Sequence, residues 1–300
     1  MLCIVIHMPV KPTLPSFSAV QGIVREMYGP EARLEDSKVA GIRGQIDAMD
    51  DVHYSGADGA KIEKIGVAGA EDVVFRQRVV EASHGLAKSG AQFSASHSTD
   101  KVNKALWTMG YGGKIQVRKF LPNDQIGKPS VAMRDIYENG RDYAFECATA
   151  MMIIYHKAIL DHIGDEKFDE LFSEPRFLSF FRWSIEDDDY TSVKKLVEDD
   201  KIIKQAPKPG AHYYIANPDA SAENSAFRGE NVLYLGDGTY YAHGIVGASG
   251  TYIVTEDEII ATLSALRKPG ATTKPHRIGL ELEMDALKVA GLLNVSKPTA

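Results

Sequence analysis

The chemistry-bearing residues of this chain begin with a thiol beside a carboxylate. Cys147 directly follows Glu146 in the stretch Asp142-Tyr-Ala-Phe-Glu-Cys-Ala-Thr-Ala150, which opens a long apolar segment. A cysteine in the first turn of a helix feels the positive end of the helix dipole, which lowers its pKa and raises its thiolate fraction. Such a sulfur is a candidate nucleophile. The plainer reading is a buried structural cysteine, since free cysteine is among the most buried residue types.

A sulfur nucleophile needs a proton acceptor and a group to orient it. Two short blocks offer them: Arg228-Gly-Glu-Asn231 and Tyr241-Ala-His-Gly244. They flank Gly236-Asp-Gly-Thr239, a hairpin-turn signal. If Leu235 opposes Tyr240, then Val232 opposes His243. Glu230 and His243 are then diagonal neighbours on one face, with Cα atoms roughly 7–8 Å apart. A slip of one residue puts them on opposite faces. Each residue also has a plain alternative: Glu230 as an ion-paired strand end near Arg228, His243 as a satisfied polar residue, Glu146 as a first-turn acid favoured by the dipole. The acidic run Glu186–Asp189 lacks the spacing of a calcium loop, and Gly110-Tyr-Gly-Gly113 lacks the Gly-Lys-Ser/Thr of a phosphate loop. No metal site is expected.

The elements that must position these groups are legible in outline. The spacing of Phe75, Val79, Ala82 and Leu86 predicts a helix over 71–89, closed by Gly90. A second helix is expected from about Tyr143 to Ile163, with Asp142 as N-cap and Gly164 as stop. It is apolar nearly all round and should lie in the middle of the fold. Strands are expected at 114–120, 213–215, 231–235 and 240–245. Thr255-Glu-Asp-Glu258 reads as a capping box opening a helix that Gly270 ends. Residues 1–70, broken by Pro9, Pro12, Pro15 and Pro30, read as an irregular extension with a short helix at 19–28; residues 71–295 read as the functional domain.

Composition narrows the function classes. In 300 residues, 44% are hydrophobic and 25% charged, enough apolar material for a real core. A formal charge of −7 and the lack of a basic block argue against a nucleic-acid partner. Two cysteines, Cys3 and Cys147, give neither a disulfide framework nor a thiolate zinc site. The apolar start breaks at Pro9 without a basic leader, so no signal peptide is expected, and no apolar run reaches membrane-helix length. The expectation is a cytoplasmic protein without membrane contact.

Several separate blocks resemble the spore-associated transglutaminases of bacilli: Ala132-Met-Arg-Asp-Ile-Tyr-Glu-Asn-Gly140 with Tyr143-Ala-Phe-Glu-Cys-Ala-Thr-Ala150, Arg228-Gly-Glu-Asn-Val232 with Tyr241-Ala-His-Gly244, Ile163-Gly-Asp-Glu-Lys-Phe168, and Lys88-Ser-Gly-Ala-Gln-Phe93. The resemblance runs over roughly residues 72–293 and leaves residues 1–70 unread. It implies an α+β fold with a papain-like or NlpC/P60-like core, in which a buried helix carrying the cysteine packs on an antiparallel sheet. It implies a calcium-independent protein-glutamine γ-glutamyltransferase, without cofactor, that joins glutamine and lysine side chains of protein substrates, spore-coat proteins among them. The nucleophile matches Cys147, the general base Glu230, its partly redundant substitute Glu146, and a further site position His243. A papain-like reading makes His243 the base instead. Trp183 matches a tryptophan of the family's substrate tunnel, and Phe227 stands where another would be, with Tyr143 and Tyr241 as further aromatic wall candidates. Two rivals remain open: a cysteine hydrolase (peptidase, amidase or glutamine deamidase) on the same scaffold, and a non-catalytic coat protein.

Overall fold

The computed structural model describes residues 22–23, 26, 33–34, 51–55, 62–96, 98–112, 117–122, 128–172, 180–181, 193–202 and 206–284. Trp183 and the acidic run 186–189 lie outside them, as does most of the expected helix at 19–28, of which 22, 23 and 26 are helical.

The architecture is α+β. Strands β1 (Arg33–Leu34), β2 (Asp51–Ser55) and β3 (Ile62–Gly66) form a small antiparallel sheet. Paired strands thus stand where irregular chain was expected, because runs of five residues are too short to show through the glycine-rich links around them. Helix α1 (Val67–Ser89) follows directly, starting four residues before the expected Glu71, and Gly90 closes it at φ +88°. Next come β4 (Gln92–Phe93), the antiparallel pair β5 (Trp107–Gly112) and β6 (Val117–Pro122), α2 (Pro129–Glu138), β7 (Ala144–Phe145), α3 (Cys147–Ile163), α4 (Asp165–Leu171) and β8 (Phe180–Phe181). The C-terminal part supplies β9 (Val193–Ile202), β10 (His212–Ala216), β11 (Gly229–Gly236), β12 (Thr239–Ala242), β13 (Ile253–Thr255), α5 (Glu256–Ala265) and β14 (His276–Met284). Its six strands make one antiparallel sheet in the order β13-β12-β11-β10-β14-β9.

Helix α3 is the centre of the molecule. Of its seventeen residues, only Lys157 and Asp161 are not buried. It packs on α1 and on β11, and with them forms the main apolar core. A smaller core on the other side of the sheet joins Val232, Tyr234, Tyr240 and Ala242 to Ile259 and Leu263 of α5. Gly164 stops α3 at φ +83°, as its position suggested.

The start of α3 corrects the sequence expectation. Asp142 ends a short 3-10 turn, Gly140–Asp142, and does not cap α3. The backbone of Ala144 and Phe145 is instead taken by parallel pairing with Gln92 and Phe93. The cap is Glu146, so the helix begins at Cys147. At the other end of the domain, Thr255 and Glu258 form the expected capping box, but α5 stops at Ala265 with Leu266 as C-cap, and Gly270 lies in a later turn.

The hairpin register differs too. Gly236, Asp237 and Gly238 all adopt positive φ (96°, 52° and 73°), giving the expected turn. An irregularity between Tyr234 and Gly236 then absorbs one residue, so Val232 opposes Ala242 rather than His243. This is the slip that moves Glu230 and His243 to different faces.

Because Ile154 is fully buried in the main core, replacing it with alanine leaves a cavity around the helix that holds Cys147. Ile154→Ala is expected to cost about 2–5 kcal/mol of stability, read by urea unfolding.

Candidate active site

Cys147 is the first residue of α3 and is 3% exposed. Its backbone position is set by Glu146. That carboxylate is fully buried; its Oε2 accepts the Ala148 N–H at 2.7 Å, and its Oε1 accepts the Thr149 N–H and hydroxyl, both at 2.8 Å. The carboxylate thus takes up orphan donors of the helix start. Those two N–H groups are then not turned toward an incoming carbonyl, which bears on the oxyanion role that a helix start suggests.

Glu230 enters from the start of β11, which packs against α3. It is 1% exposed, accepts a hydrogen bond from the Gly244 N–H at 2.8 Å, and lies close enough to the Cys147 thiol to shift its pKa. Gly244 is required there: a Cβ would sit 2.7 Å from Glu230 Oε2. Burial, partly opposed by the Gly244 hydrogen bond, pushes the Glu230 pKa up to about 8, and nearby Glu146 adds to the rise. The thiol is pushed well above its usual value by burial, then by the charges of Glu230 and Glu146; Asn231 opposes the shift. The expected lowering of the thiol pKa by the helix dipole is therefore outweighed. In this environment the thiol holds its proton, and a thiolate arises when the ionised form of Glu230 takes it.

His243 stands apart from this pair. It is fully buried; its Nε2 donates to the Gln92 carbonyl at 3.2 Å and its Nδ1 accepts from the Tyr241 hydroxyl at 2.6 Å. Its ring stacks on Phe145 at 4.7 Å. Burial lowers its pKa to about 3, so it is a neutral pin between β12, β4 and β7.

A pocket of about 440 Å³ opens onto Cys147, lined by Tyr214, Ser225, Arg228, Gly229 and Asn231 among others. Tyr214 lies so close over Gly229 that a Cβ there would meet its hydroxyl at 2.3 Å. Of the aromatic wall candidates, Tyr143 is buried against Asp135, Tyr241 is buried against His243, and neither lines this pocket. Phe227 is half-buried and contacts Phe93 at 5.6 Å between ring centres. The aromatic of the pocket is Tyr214, which the sequence had placed only on a strand.

Asn231 is the other residue the sequence reading left without a role. It is buried, and its Nδ2 donates to the Cys147 sulfur at 3.2 Å. The signal was present in Arg228-Gly-Glu-Asn231: adjacent strand residues point to opposite faces, so both Glu230 and Asn231 reach Cys147 only because the strand begins beside it.

Comparisons with known proteins bear on the family of the chain as a whole. A family model described as protein-glutamine gamma-glutamyltransferase matches residues 70–290. The protein-glutamine gamma-glutamyltransferase of Bacillus pumilus (strain SAFR-032) is 35% identical over 216 residues, spanning 72% of this chain and 78% of that protein. The one from Bacillus subtilis (strain 168) is 32% identical over 220 residues, spanning 71% and 77%. A transglutaminase from Geobacillus stearothermophilus, solved without its C-terminal extension, superposes with a TM-score of 0.60 at 31% identity, covering 75% of this chain and 99% of that one.

The raised pKa of Glu230 makes a stability prediction. Between its ordinary value of 4.5 and its folded value of about 8, the folded state holds a proton that the unfolded state has lost. The stability from this group is full below the lower value and is lost as pH rises through the upper one. Glu230→Gln keeps a neutral side chain throughout. Its melting temperature should match the parent's below about pH 4.5 and exceed it increasingly up to about pH 8, as followed by calorimetry.

Proposed function

Because this chain belongs to the protein-glutamine gamma-glutamyltransferase family, we propose that it transfers the γ-glutamyl group of a protein-bound glutamine to a lysine amine, with Cys147 as nucleophile and Glu230 as base. The observation that carries the proposal is the Glu230 carboxyl buried beside the Cys147 thiol, where burial raises its pKa to about 8. A general base works best when its pKa lies near the working pH.

The steps balance as follows. Cys147 Sγ attacks the carboxamide carbon while its proton passes to Glu230. The tetrahedral adduct loses its nitrogen as ammonia, which takes that proton, and a thioester remains. A lysine amine enters unprotonated, attacks the thioester carbon and gives a proton to Glu230. The C–S bond breaks, the proton returns to the sulfur, and an isopeptide bond is left. Splitting one amide exchange into two steps lowers each barrier. Water in place of the amine gives glutamate, the outcome of the hydrolase rival.

The geometry favours Glu230 over His243 as base, since both ring nitrogens of His243 are engaged by Gln92 and Tyr241. Glu146 we assign mainly to building the helix start, because both its oxygens receive hydrogen bonds from Ala148 and Thr149. The carboxamide enters through the pocket beside Tyr214 and Arg228. The catalytic unit is proposed to span 71–295, to act without calcium, and to use proteins as both donor and acceptor; spore-coat proteins are proposed substrates on the strength of the Bacillus relatives. Among the described residues no helix is long and apolar enough to cross a membrane.

With casein and dansylcadaverine, Cys147→Ala is expected to give no labelling while keeping its fold, and retained labelling rules out the assignment. Glu230→Gln should lower kcat by about 10²–10⁴-fold, and His243→Phe, which keeps the ring stack, by far less; the reverse order makes histidine the base. Ammonia release without amine, which removes lysine titration from the profile, should rise with pH through about 8 as Glu230 ionises. EDTA should leave each rate unchanged.

A further inference from the structure

Asn231 joins the reactive sulfur to a histidine that the mechanism above does not use. Its Nδ2 donates to Cys147 Sγ, and its Oδ1 lies 2.9 Å from Nε2 of His212. His212 opens β10 and is fully buried, paired across the sheet with Leu233 of β11. Its Nδ1 has no hydrogen-bond partner among the described residues. A buried ring with one unpartnered nitrogen is costly, and a native structure that keeps one calls for a reason.

The purpose follows from the amide. A side-chain amide has a donor end and an acceptor end and can turn over. With Oδ1 toward Cys147, its lone pairs would face a sulfur that becomes negative; with Nδ2 toward it, an N–H meets that charge. The partner at the far end decides between them. We propose that His212 is a positioning residue: the proton on its Nε2, donated to Asn231 Oδ1, holds the Asn231 amide with its N–H on the Cys147 sulfur. This rests on reading Cys147 as the nucleophile.

The tautomer is dictated by the chain of bonds. Oδ1 is an acceptor, so Nε2 must carry the single proton of the neutral ring, and Nδ1, which has no partner among the described residues, is left without one. Burial, only partly opposed by the Asn231 bond, lowers the ring's pKa to about 4, so it stays neutral while the site works. The other groups near the sulfur do not supply this donor. Glu230 and Glu146 raise the thiol pKa, and among the described residues the Tyr214 hydroxyl makes no hydrogen bond to the sulfur, its pKa raised to about 12 by burial and by the charges of Cys147 and Glu230. Arg228 is an exposed residue at the pocket. Asn231 is the group that opposes the rise, through its hydrogen bonds to the sulfur.

The test compares His212→Leu with His212→Gln in a Cys3→Ser background, which leaves Cys147 as the single thiol. Glutamine can place an amide N–H where Nε2–H stands. The readouts are the pH profile of iodoacetamide alkylation at Cys147 and the kcat and KM of ammonia release. His212→Leu should move the alkylation midpoint up by about one pH unit and lower kcat about tenfold with KM little changed; His212→Gln should restore both. A leucine profile that overlays the parent, or leucine and glutamine variants equally impaired, overturns the proposal. The parent protein gives a second measurement that needs no variant to fold: ¹⁵N NMR of the His212 ring should show a neutral Nε2–H tautomer from pH 5 to 9, and an Nδ1–H tautomer or a charged ring overturns it. Alkylation and NMR are read without turnover. Failure of the nucleophile assignment would instead appear as activity in Cys147→Ala.

Discussion

Two carboxylates and a thiol are held together where water does not solvate them, and the rest of the site follows from that confinement. Glu146 is tolerated there because the helix start gives it three donors, from Ala148 and Thr149. Glu230 has the Gly244 N–H. Burial disfavours the charge on both the thiol and the Glu230 carboxyl, so once Glu230 ionises the remaining proton passes easily between them. The result is a pair that shares protons readily, in contrast to a preformed thiolate and imidazolium.

The scaffold makes this arrangement possible by exchanging regularity for placement. Pairing of Ala144–Phe145 with Gln92–Phe93 keeps α3 from starting earlier, and so makes Cys147 its first residue. The irregularity near Leu235 shifts the hairpin so that Gly244, which has no Cβ, falls against Glu230. His243, displaced by the same shift, ties the hairpin to β4 through Gln92 and to β7 through Phe145. A structural histidine and a carboxylate acceptor are two consequences of one extra residue.

What the sequence made legible was local. The apolar periodicity marked the burial of α3, Gly164 its end, Gly236 to Gly238 the turn, and Thr255 with Glu258 a helix start. The blocks around Cys147 and Glu230 suggested the family before any coordinates. What the sequence hid depends on counting residues through irregular places. A period-two pattern does not register a bulge, so Glu230 and His243 looked like neighbours. Propensity favours Asp142 over Glu146 as a cap, and long-range pairing with β4 decided against it. Asn231 and His212 are 19 positions apart and meet only through the β10–β11 register. The direction of the thiol pKa shift was also unreadable, because it depends on how deeply three groups are buried together.

The central claim is that the acyl group passes through Cys147. The most direct measurement is to mix the protein with a glutamine-containing peptide in the absence of amine, quench in acid within the turnover time, and map the adduct by mass spectrometry. The account predicts the peptide less ammonia, bound as a thioester to Cys147 and released by hydroxylamine. Turnover with an unmodified Cys147, or an adduct on any other residue, would contradict it.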